Sequence, residues 1–266
     1  MLLVAIVAAT VMTGIRWTRR GGDWDLVLSV AMWGVLGGIV GARLYHVVTS
    51  WNEVPDEWWG PLAVWKGGLG VWGGIAGGVL AGAIVVHRRG ESIFAFMDVV
   101  APGLLLAQGI GRWGNWFNQE LFGKPTDLPW GLEISPENRP DGYFADPTFH
   151  PTFLYEFVWD IVGVGLLLWV ERRFRIKPPG LFCLYVAWYT LGRATFEEHL
   201  RIDPSHHIAG FRLNAWVAMG LFVAAVAGFV WAQRRTLDVW PAPRPREAAA
   251  GGPKMAVPKG RVRSGR

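Results

Sequence analysis

The sequence predicts an all-α integral membrane protein with seven transmembrane helices. Hydrophobic residues make up 52% of the 266 residues and charged residues only 18%, against about 25% charged residues in an average soluble domain. Several apolar stretches reach the roughly 18 residues that a transmembrane helix requires. Lysine and arginine cluster after alternate stretches, which is the loop pattern of a multi-pass membrane protein. These three observations predict the fold class before any motif is considered.

The apolar stretches place the seven predicted spans. The first covers residues 2–15 and is short for a hydrocarbon core of about 30 Å, so we expect the natural start of this helix to lie upstream. Six longer spans follow, at residues 26–44, 68–86, 93–110, 153–170, 181–195 and 213–232. Small residues four apart let helix backbones approach closely in lipid. The second and third spans are therefore predicted to pair through Gly34, Gly37, Gly38, Gly41, Gly70, Gly74, Gly78 and Gly82.

The basic residues predict the orientation of the chain. Of the 26 Lys and Arg residues, 18 follow the first, third, fifth or seventh span. Because cytoplasmic loops carry this excess, the N-terminus is predicted to lie outside and the C-terminus inside. The net charge of +5 reflects this pattern and does not indicate a nucleic-acid partner.

Two parts are predicted along the chain. Residues 1–232 form the transmembrane domain, with a small extracytoplasmic head segment in the loop at residues 112–152; loops of this length tend to be functional. Residues 233–266, rich in Pro, Ala, Gly and basic residues, are expected to form a disordered cytoplasmic tail. The single cysteine, Cys183, lies in the sixth span, which excludes an internal disulfide.

Ionisable side chains in or beside membrane helices are costly and by default mark function. Ten of them, from five segments, fall on the predicted outer side: Arg43, Arg112, Glu120, His150, Glu156, Asp160, Arg193, Glu197, Glu198 and Arg201. Their convergence on one face indicates a site for an anionic lipid headgroup. No His/Asp cluster with metal-ligand spacing is present, and we expect no metal or cofactor.

Three motifs contribute most of these residues. In "GIGRWGNWFNQELFG" (109–123), Arg112 has the rigid donor fork that matches phosphate, and the glycines allow a ligand close approach. "HPTFLYEFVWD" (150–160) and "GRATFEEHLRID" (192–203) add a carboxylate one turn inside an apolar helix and an Arg/Glu face at helical spacing. The alternatives are an arginine that snorkels to the interface, an aromatic-belt tyrosine at Tyr155 and a purely structural ion pair.

The segment "GRWGNWFNQELFG" (111–123) resembles the signature of bacterial prolipoprotein diacylglyceryl transferases, with Trp116 where that family usually has Phe. "HPTFLYE", "GARLYHV" (41–47) and "KGGLGVWGG" (66–74) are similar to further family motifs. The resemblance implies transfer of an sn-1,2-diacylglyceryl group from phosphatidylglycerol to the lipobox cysteine of a preprolipoprotein, on the outer face of the bacterial plasma membrane. A thioether and glycerol 1-phosphate are the implied products.

The resemblance also implies roles for individual residues. Arg112 and Arg193 would hold the phosphate and stabilise it as it leaves. The substrate-binding pocket would include Asn115, Asn118, Glu120, Gly123, Tyr155, Glu156, Glu197, Glu198, Arg201 and Arg43. Trp72 stands where many members have a histidine proposed as the base, so His150 or a carboxylate is the candidate here. One extra residue between Arg193 and Arg201 leaves either Glu197 or Glu198 as the family glutamate.

Two other functions compete with this interpretation. A transporter or channel would place charges along a path across the bilayer and often shows inverted repeats, whereas these charges gather at one face and no repeat is evident. A lipid phosphatase would normally show metal ligands or a His/Asp pair.

Overall fold

The computed structural model describes residues 1–202 and 207–235, apart from the side chains of residues 197, 207 and 208. This part of the chain contains seven α-helices: α1 (Leu2–Arg19), α2 (Trp24–Thr49), α3 (Val71–Arg88), α4 (Ile93–Asn118), α5 (Thr152–Arg173), α6 (Gly180–His199) and α7 (Leu213–Arg234). Two antiparallel hairpins pair β1 (Leu132–Glu133) with β2 (Thr148–Phe149) and β3 (His207–Ile208) with β4 (Phe211–Arg212). The hairpins were not predicted, because two-residue strands leave no periodic pattern in a sequence.

Six of the seven helices are long and apolar enough to cross a membrane, which confirms a helical, multi-pass membrane protein. The exception is α6, whose final turns carry Arg193, Glu197 and Glu198. This helix packs against α4, α5 and α7, so much of its surface contacts protein and does not need to be lipid-compatible. Seven spans and their orientation remain predictions.

Helices α2 and α3 pair through their glycines, as the spacing predicts. A Cβ added at Gly41 would lie 2.3 Å from the carbonyl oxygen of Gly73, and one added at Gly73 would lie 2.2 Å from that of Gly41. One turn along, a Cβ at Gly77 would lie 2.2 Å from the oxygen of Gly37. Only glycine permits this backbone approach, so the two helices form one tight unit.

Helix α4 is longer than predicted, which corrects the position of the head segment. The span was expected to end at residue 110 and a loop to begin at Arg112, but the helix continues to Asn118. Trp113 packs edge-on against Phe153 and Phe157 of α5, at ring-centroid distances of 5.4 and 5.6 Å. These contacts extend the helix–helix interface through a glycine-rich stretch, and the loop therefore comprises residues 119–151.

The last helix continues slightly beyond residue 232, the predicted end of the transmembrane domain. Helix α7 runs to Arg234, and the Lys177 ammonium donates to the carbonyl oxygens of Gln233 and Arg235 at 2.9 and 2.5 Å. Carbonyl groups at a helix C-terminus have no partner within the helix, so this lysine extends the ordered end. Residues 236–266 of the predicted disordered tail lie outside the described residues.

A group of charged residues joins four helices near the start of α4. Arg16 of α1 donates to the backbone oxygens of Val99 and Asp98 at 2.9 and 3.0 Å, and it pairs with Glu171 of α5. Arg20 also pairs with Glu171. The Asp98 carboxylate accepts from the backbone N–H of Phe182 at 2.9 Å and so caps the first turn of α6, where Pro179 supplies no side-chain cap. We call Arg16, Arg20, Asp98 and Glu171 the Glu171 cluster.

Candidate active site at the end of helix α4

Two arginines from different helices meet one buried carboxylate. Arg112 Nη2 of α4 lies 2.7 Å from Glu156 Oε2 of α5, and Arg193 Nη1 of α6 lies 3.4 Å from the same oxygen. The Glu156 side chain is 6% exposed, whereas those of Arg112 and Arg193 are 14% and 22% exposed. The structure thus joins three charged residues, one from each motif, that are 37 or more positions apart in the sequence. The arginine side chains are partly exposed at the protein surface, and the carboxylate that holds them is buried.

A second carboxylate lies one helical turn from Glu156. Asp160 is 3% exposed, and its Oδ2 atom is buried with no hydrogen-bond partner among the described residues. It interacts electrostatically with Arg112, Glu156 and Arg193. Gly109 makes room for it, since a Cβ there would lie 3.1 Å from the Cβ of Asp160. We call Arg112, Glu156, Asp160 and Arg193 the Glu156 cluster.

Stacked tryptophans hold α5 and α6 in the register that this cluster requires. The rings of Trp159 and Trp188 stack with centroids 4.3 Å apart, and each Nε1 donates to the other residue's backbone oxygen at 3.1 Å. Glycines receive the rings, because a Cβ at Gly163 or Gly192 would lie within 2.4 Å of a tryptophan Nε1. This reciprocal contact fixes the position of Glu156 along α5 relative to that of Arg193 along α6.

The amides of the 111–123 motif line a separate polar cavity of about 600 Å³. Its walls are Met1, Leu2, Gly111, Gly114, Asn115, Phe117, Asn118 and Glu120. Asn118 Nδ2 donates to Glu120 Oε1 at 2.9 Å. Helix α4 ends here because Gln119 adopts a left-handed conformation with φ of 50°. Uncharged amides and a carboxylate, which follow Arg112 closely in the sequence, suit hydroxyl groups better than phosphate.

The predicted base His150 is joined to Tyr155 and the head segment. His150 Nδ1 lies 3.1 Å from the Tyr155 hydroxyl, which accepts from Trp130 Nε1 at 2.9 Å. Trp130, Tyr155, Trp159 and Trp188 also line an apolar cavity of about 500 Å³. Trp130 was not predicted, since a lone tryptophan in a loop carries no sequence signal. His150 therefore has a fixed orientation beside an apolar cavity.

Gly123, Glu198 and Arg201 form the junction between the head segment and α6. Gly123 and Arg201 make an isolated β-bridge, and a Cβ at Gly123 would lie 2.9 Å from the Cβ of His150. Glu198 Oε2 accepts from the backbone N–H of Arg212 at 3.3 Å. The Glu197 side chain lies outside the described residues, so the choice between the two glutamates stays open. The junction needs glycine because three segments meet there.

Arg43 has a different environment from the one expected. Its guanidinium donates to the carbonyl oxygens of Gly60, Pro61, Gly67 and Gly68 at 2.7 to 3.1 Å, and the residue is 5% exposed. Four of its five donor hydrogens are thus engaged by the loop between α2 and α3. Arg43 therefore holds that loop in place, and its predicted contact with the substrate stays a prediction.

Comparisons with known proteins agree with these motifs. The family model for prolipoprotein diacylglyceryl transferases matches residues 1–231. A phosphatidylglycerol–prolipoprotein diacylglyceryl transferase of Cutibacterium acnes is 48% identical over 88% of this chain and 80% of its own length. The similarly named transferase 2 of Streptomyces coelicolor is 45% identical over 94% and 80%, respectively, and a Bifidobacterium adolescentis relative is 41% identical over 88% and 74%. The chain therefore belongs to the prolipoprotein diacylglyceryl transferase family.

Proposed function

We propose that this chain transfers the sn-1,2-diacylglyceryl group of phosphatidylglycerol to the thiol of the lipobox cysteine in preprolipoprotein signal peptides. The products are a thioether and glycerol 1-phosphate, the first step of bacterial lipoprotein maturation. The observation that carries the proposal is the convergence of Arg112 and Arg193 on Glu156. Family membership supports the reaction, and the names of the relatives support both substrates.

The two arginines bind the phosphate of the lipid. Each guanidinium presents a planar fork that matches phosphate oxygens, and Glu156 holds both forks in place before the lipid arrives. Charge on the phosphate grows when the bond between the glyceryl carbon and the ester oxygen breaks. Cations already oriented toward that position stabilise the transition state without reorganising, which is usually the largest catalytic contribution.

The polar cavity beside α4 receives the glycerol end of the headgroup. Asn115, Asn118 and Glu120 offer both donors and acceptors to its hydroxyl groups, and Gly111 and Gly114 keep the helix surface open there. Gly123, Tyr155, Glu198 and Arg201 shape the site from the head segment and from α6. Glu197 is included in the proposed substrate-binding site because of its position in the family motif.

The nucleophile comes from the substrate. A model thiol has a pKa near 8.5, and neighbouring cations increase the fraction that is thiolate at neutral pH. The sulfur attacks the glyceryl carbon, the carbon–oxygen bond breaks, and the thiol proton passes to a base or to the leaving phosphate. Trp72 carries no titratable group and cannot act as a base. The positive charges of Arg112 and Arg193 therefore contribute most to ionising the substrate thiol, and His150 is the candidate for an additional base.

The catalytic domain comprises residues 1–232 and crosses the plasma membrane seven times, with the N-terminus outside and the C-terminus inside. The distribution of basic residues supports this orientation. It places the Glu156 cluster and the head segment on the outer face, where lipobox peptides emerge. Residues 233–266 form a basic tail at the cytoplasmic surface, where it attracts anionic headgroups.

One assay tests the function directly. Membranes that contain the full chain are incubated with phosphatidylglycerol labelled in its acyl chains and with a lipobox peptide. We expect thioether-linked lipid on the peptide and an equal amount of released glycerol 1-phosphate. A matched peptide in which serine replaces the lipobox cysteine should remain unmodified. Label transferred to that serine peptide, or phosphate released without a thioether, would contradict the proposal.

A further inference from the structure

The carboxyl group of Asp160 has no assigned task in the reaction described above. It lies on α5, four residues after Glu156, and faces away from solvent at 3% exposure. Its Oδ2 atom makes no hydrogen bond within the described part of the chain. Leaving a buried polar atom unpaired costs about 1–3 kcal/mol, and more for a charged one. A proton on this carboxyl group would remove the larger cost of an unpaired buried charge.

The charged groups around Asp160 come from each helix packed against it. Arg112 approaches from α4 and Arg193 from α6, while Glu156 lies on the same helix. Tyr185 of α6 is also within electrostatic range. The two arginines thus face two carboxylates among the described side chains. When both acids are ionised, these four residues have no net positive charge left for an anion.

A phosphodiester carries one negative charge, so a net positive charge on the cluster strengthens its binding. A single proton on one of the two acids supplies it. Glu156 already accepts from both arginines through Oε2, and protonating it would weaken those contacts. Asp160 has an oxygen without a partner, which a proton converts from an uncompensated acceptor into a neutral hydroxyl.

We propose that Asp160 takes up one proton when the phosphate of the lipid binds, and that it positions Arg112 and Arg193 for the phosphate by being neutral in that state. This inference rests on the proposed function. Asp160 acts through the arginines as a positioning residue and does not contact the substrate. No bond to Asp160 forms or breaks apart from the O–H bond, and the proton comes from solvent.

The test measures phosphatidylglycerol binding as a function of pH, separately from transfer. The purified full chain in detergent is titrated with short-chain phosphatidylglycerol between pH 5 and 9, and its tryptophan fluorescence is recorded. For the natural protein, we expect the Kd to rise about tenfold per pH unit once Asp160 ionises, as linkage of one proton requires. Asp160→Asn is a neutral isostere, so its Kd should stay at the low-pH value of the natural protein throughout.

Two further variants make the outcome decisive. Asp160→Glu retains a titratable acid, so its Kd should keep the pH dependence of the natural protein. This variant also tests the inference if Asp160→Asn does not fold. Asp127→Asn removes an exposed acid from the head segment and should behave like the natural protein. An asparagine variant with the natural pH dependence, or a glutamate variant without it, would overturn the inference.

The same samples separate this inference from the proposed function. Transfer to the lipobox peptide is measured at each pH, and phosphatidylcholine replaces phosphatidylglycerol as a binding control. Equal binding of the two lipids with no thioether formed would refute the proposed function. Selective binding and transfer by the natural protein, with the same pH dependence of Kd in Asp160→Asn, would refute only the role of Asp160.

Discussion

The Glu171 cluster and the Glu156 cluster lie at opposite ends of the same helices and are organised differently. Glu156 and Glu171 are separated by 15 positions on α5, which corresponds to about 22 Å along the helix. At Glu171, Arg16 donates to backbone oxygens as well as to the carboxylate, and Asp98 caps a neighbouring helix. At Glu156, two partly exposed arginines share one carboxylate oxygen, and the buried Oδ2 atom of Asp160 has no hydrogen-bond partner among the described residues.

We propose that this difference separates a structural cluster from a functional one. Buried ion pairs whose remaining donors reach backbone oxygens hold elements together and leave nothing for a ligand. Arg112 and Arg193 are oriented by one acid and keep 14% and 22% of their side chains exposed, where an incoming anion can approach them. Charge inside a membrane protein therefore does not by itself identify an active site. We propose hydrogen-bond satisfaction as the additional criterion, and the following predictions test it.

The largest expected effect concerns which side of the membrane each cluster faces. A reporter that is active only in the cytoplasm should be fully active at the C-terminus and inactive when fused after Asp127. The opposite result would place the Glu156 cluster at the cytoplasmic face and overturn the proposed orientation.

The next largest effect is on catalysis. Arg112→Ala should lower thioether formation by about 10² or more, as loss of one preorganised charge-stabilising group typically does. Arg112→Lys keeps the charge but loses the fork, so it should also be substantially impaired. The head-segment variant Lys124→Ala, which removes an exposed basic side chain, is the matched control and should be near normal. Full activity in both arginine variants would remove Arg112 from the site.

Substitution in the Glu171 cluster should affect stability and leave catalysis intact. Glu171→Ala removes the carboxylate that pairs with the buried Arg16, and breaking such a pair costs about 3 kcal/mol. Thermal unfolding in detergent should show a clear loss, while activity per folded molecule stays near the natural value. The neighbouring exposed arginine provides a control, Arg172→Ala. Lost activity without lost stability would contradict the structural role of this cluster.

A smaller effect is expected at His150. If the arginine field activates the thiol, His150→Gln should retain activity within about tenfold, below the 10²–10⁴-fold that a positioned base typically contributes. Tyr155→Phe removes the hydroxyl that contacts His150 and is the matched comparison. Should His150→Gln be as inactive as Arg193→Ala and partly recover when the pH is raised by two units, His150 is the base.

The smallest effect is expected at Cys183. It lies in the first turn of α6 and packs against Gly228 of α7, away from the Glu156 cluster. Cys183→Ala should transfer lipid at nearly the natural rate in the assay with labelled phosphatidylglycerol. Complete inactivity of a folded Cys183→Ala protein would indicate a covalent intermediate on the enzyme.

The sequence alone determined the features that depend on local composition and spacing. Apolar stretches predicted helices at all seven positions, because the bilayer demands about 20 apolar residues wherever a chain crosses it. The glycine spacing predicted the α2–α3 pair, since close backbone approach tolerates no Cβ. The chemistry of ionisable residues beside membrane helices predicted Arg112, Glu156 and Arg193 as site candidates. The resemblance of their motifs to the family then implied their roles.

Only the tertiary structure decided which of these candidates contact each other and which hydrogen-bond partners each one has. Arg43 and Arg112 look equivalent in the sequence, yet backbone carbonyls engage one and a carboxylate orients the other. The continuation of α4 to Asn118 depends on aromatic contacts with α5, and no local pattern encodes those contacts. The environment of Asp160, whose Oδ2 atom is buried without a hydrogen-bond partner in the described part of the chain, likewise depends on three packed helices. Hydrogen-bond satisfaction depends on neighbours distant in sequence, so it becomes visible only once the chain is folded.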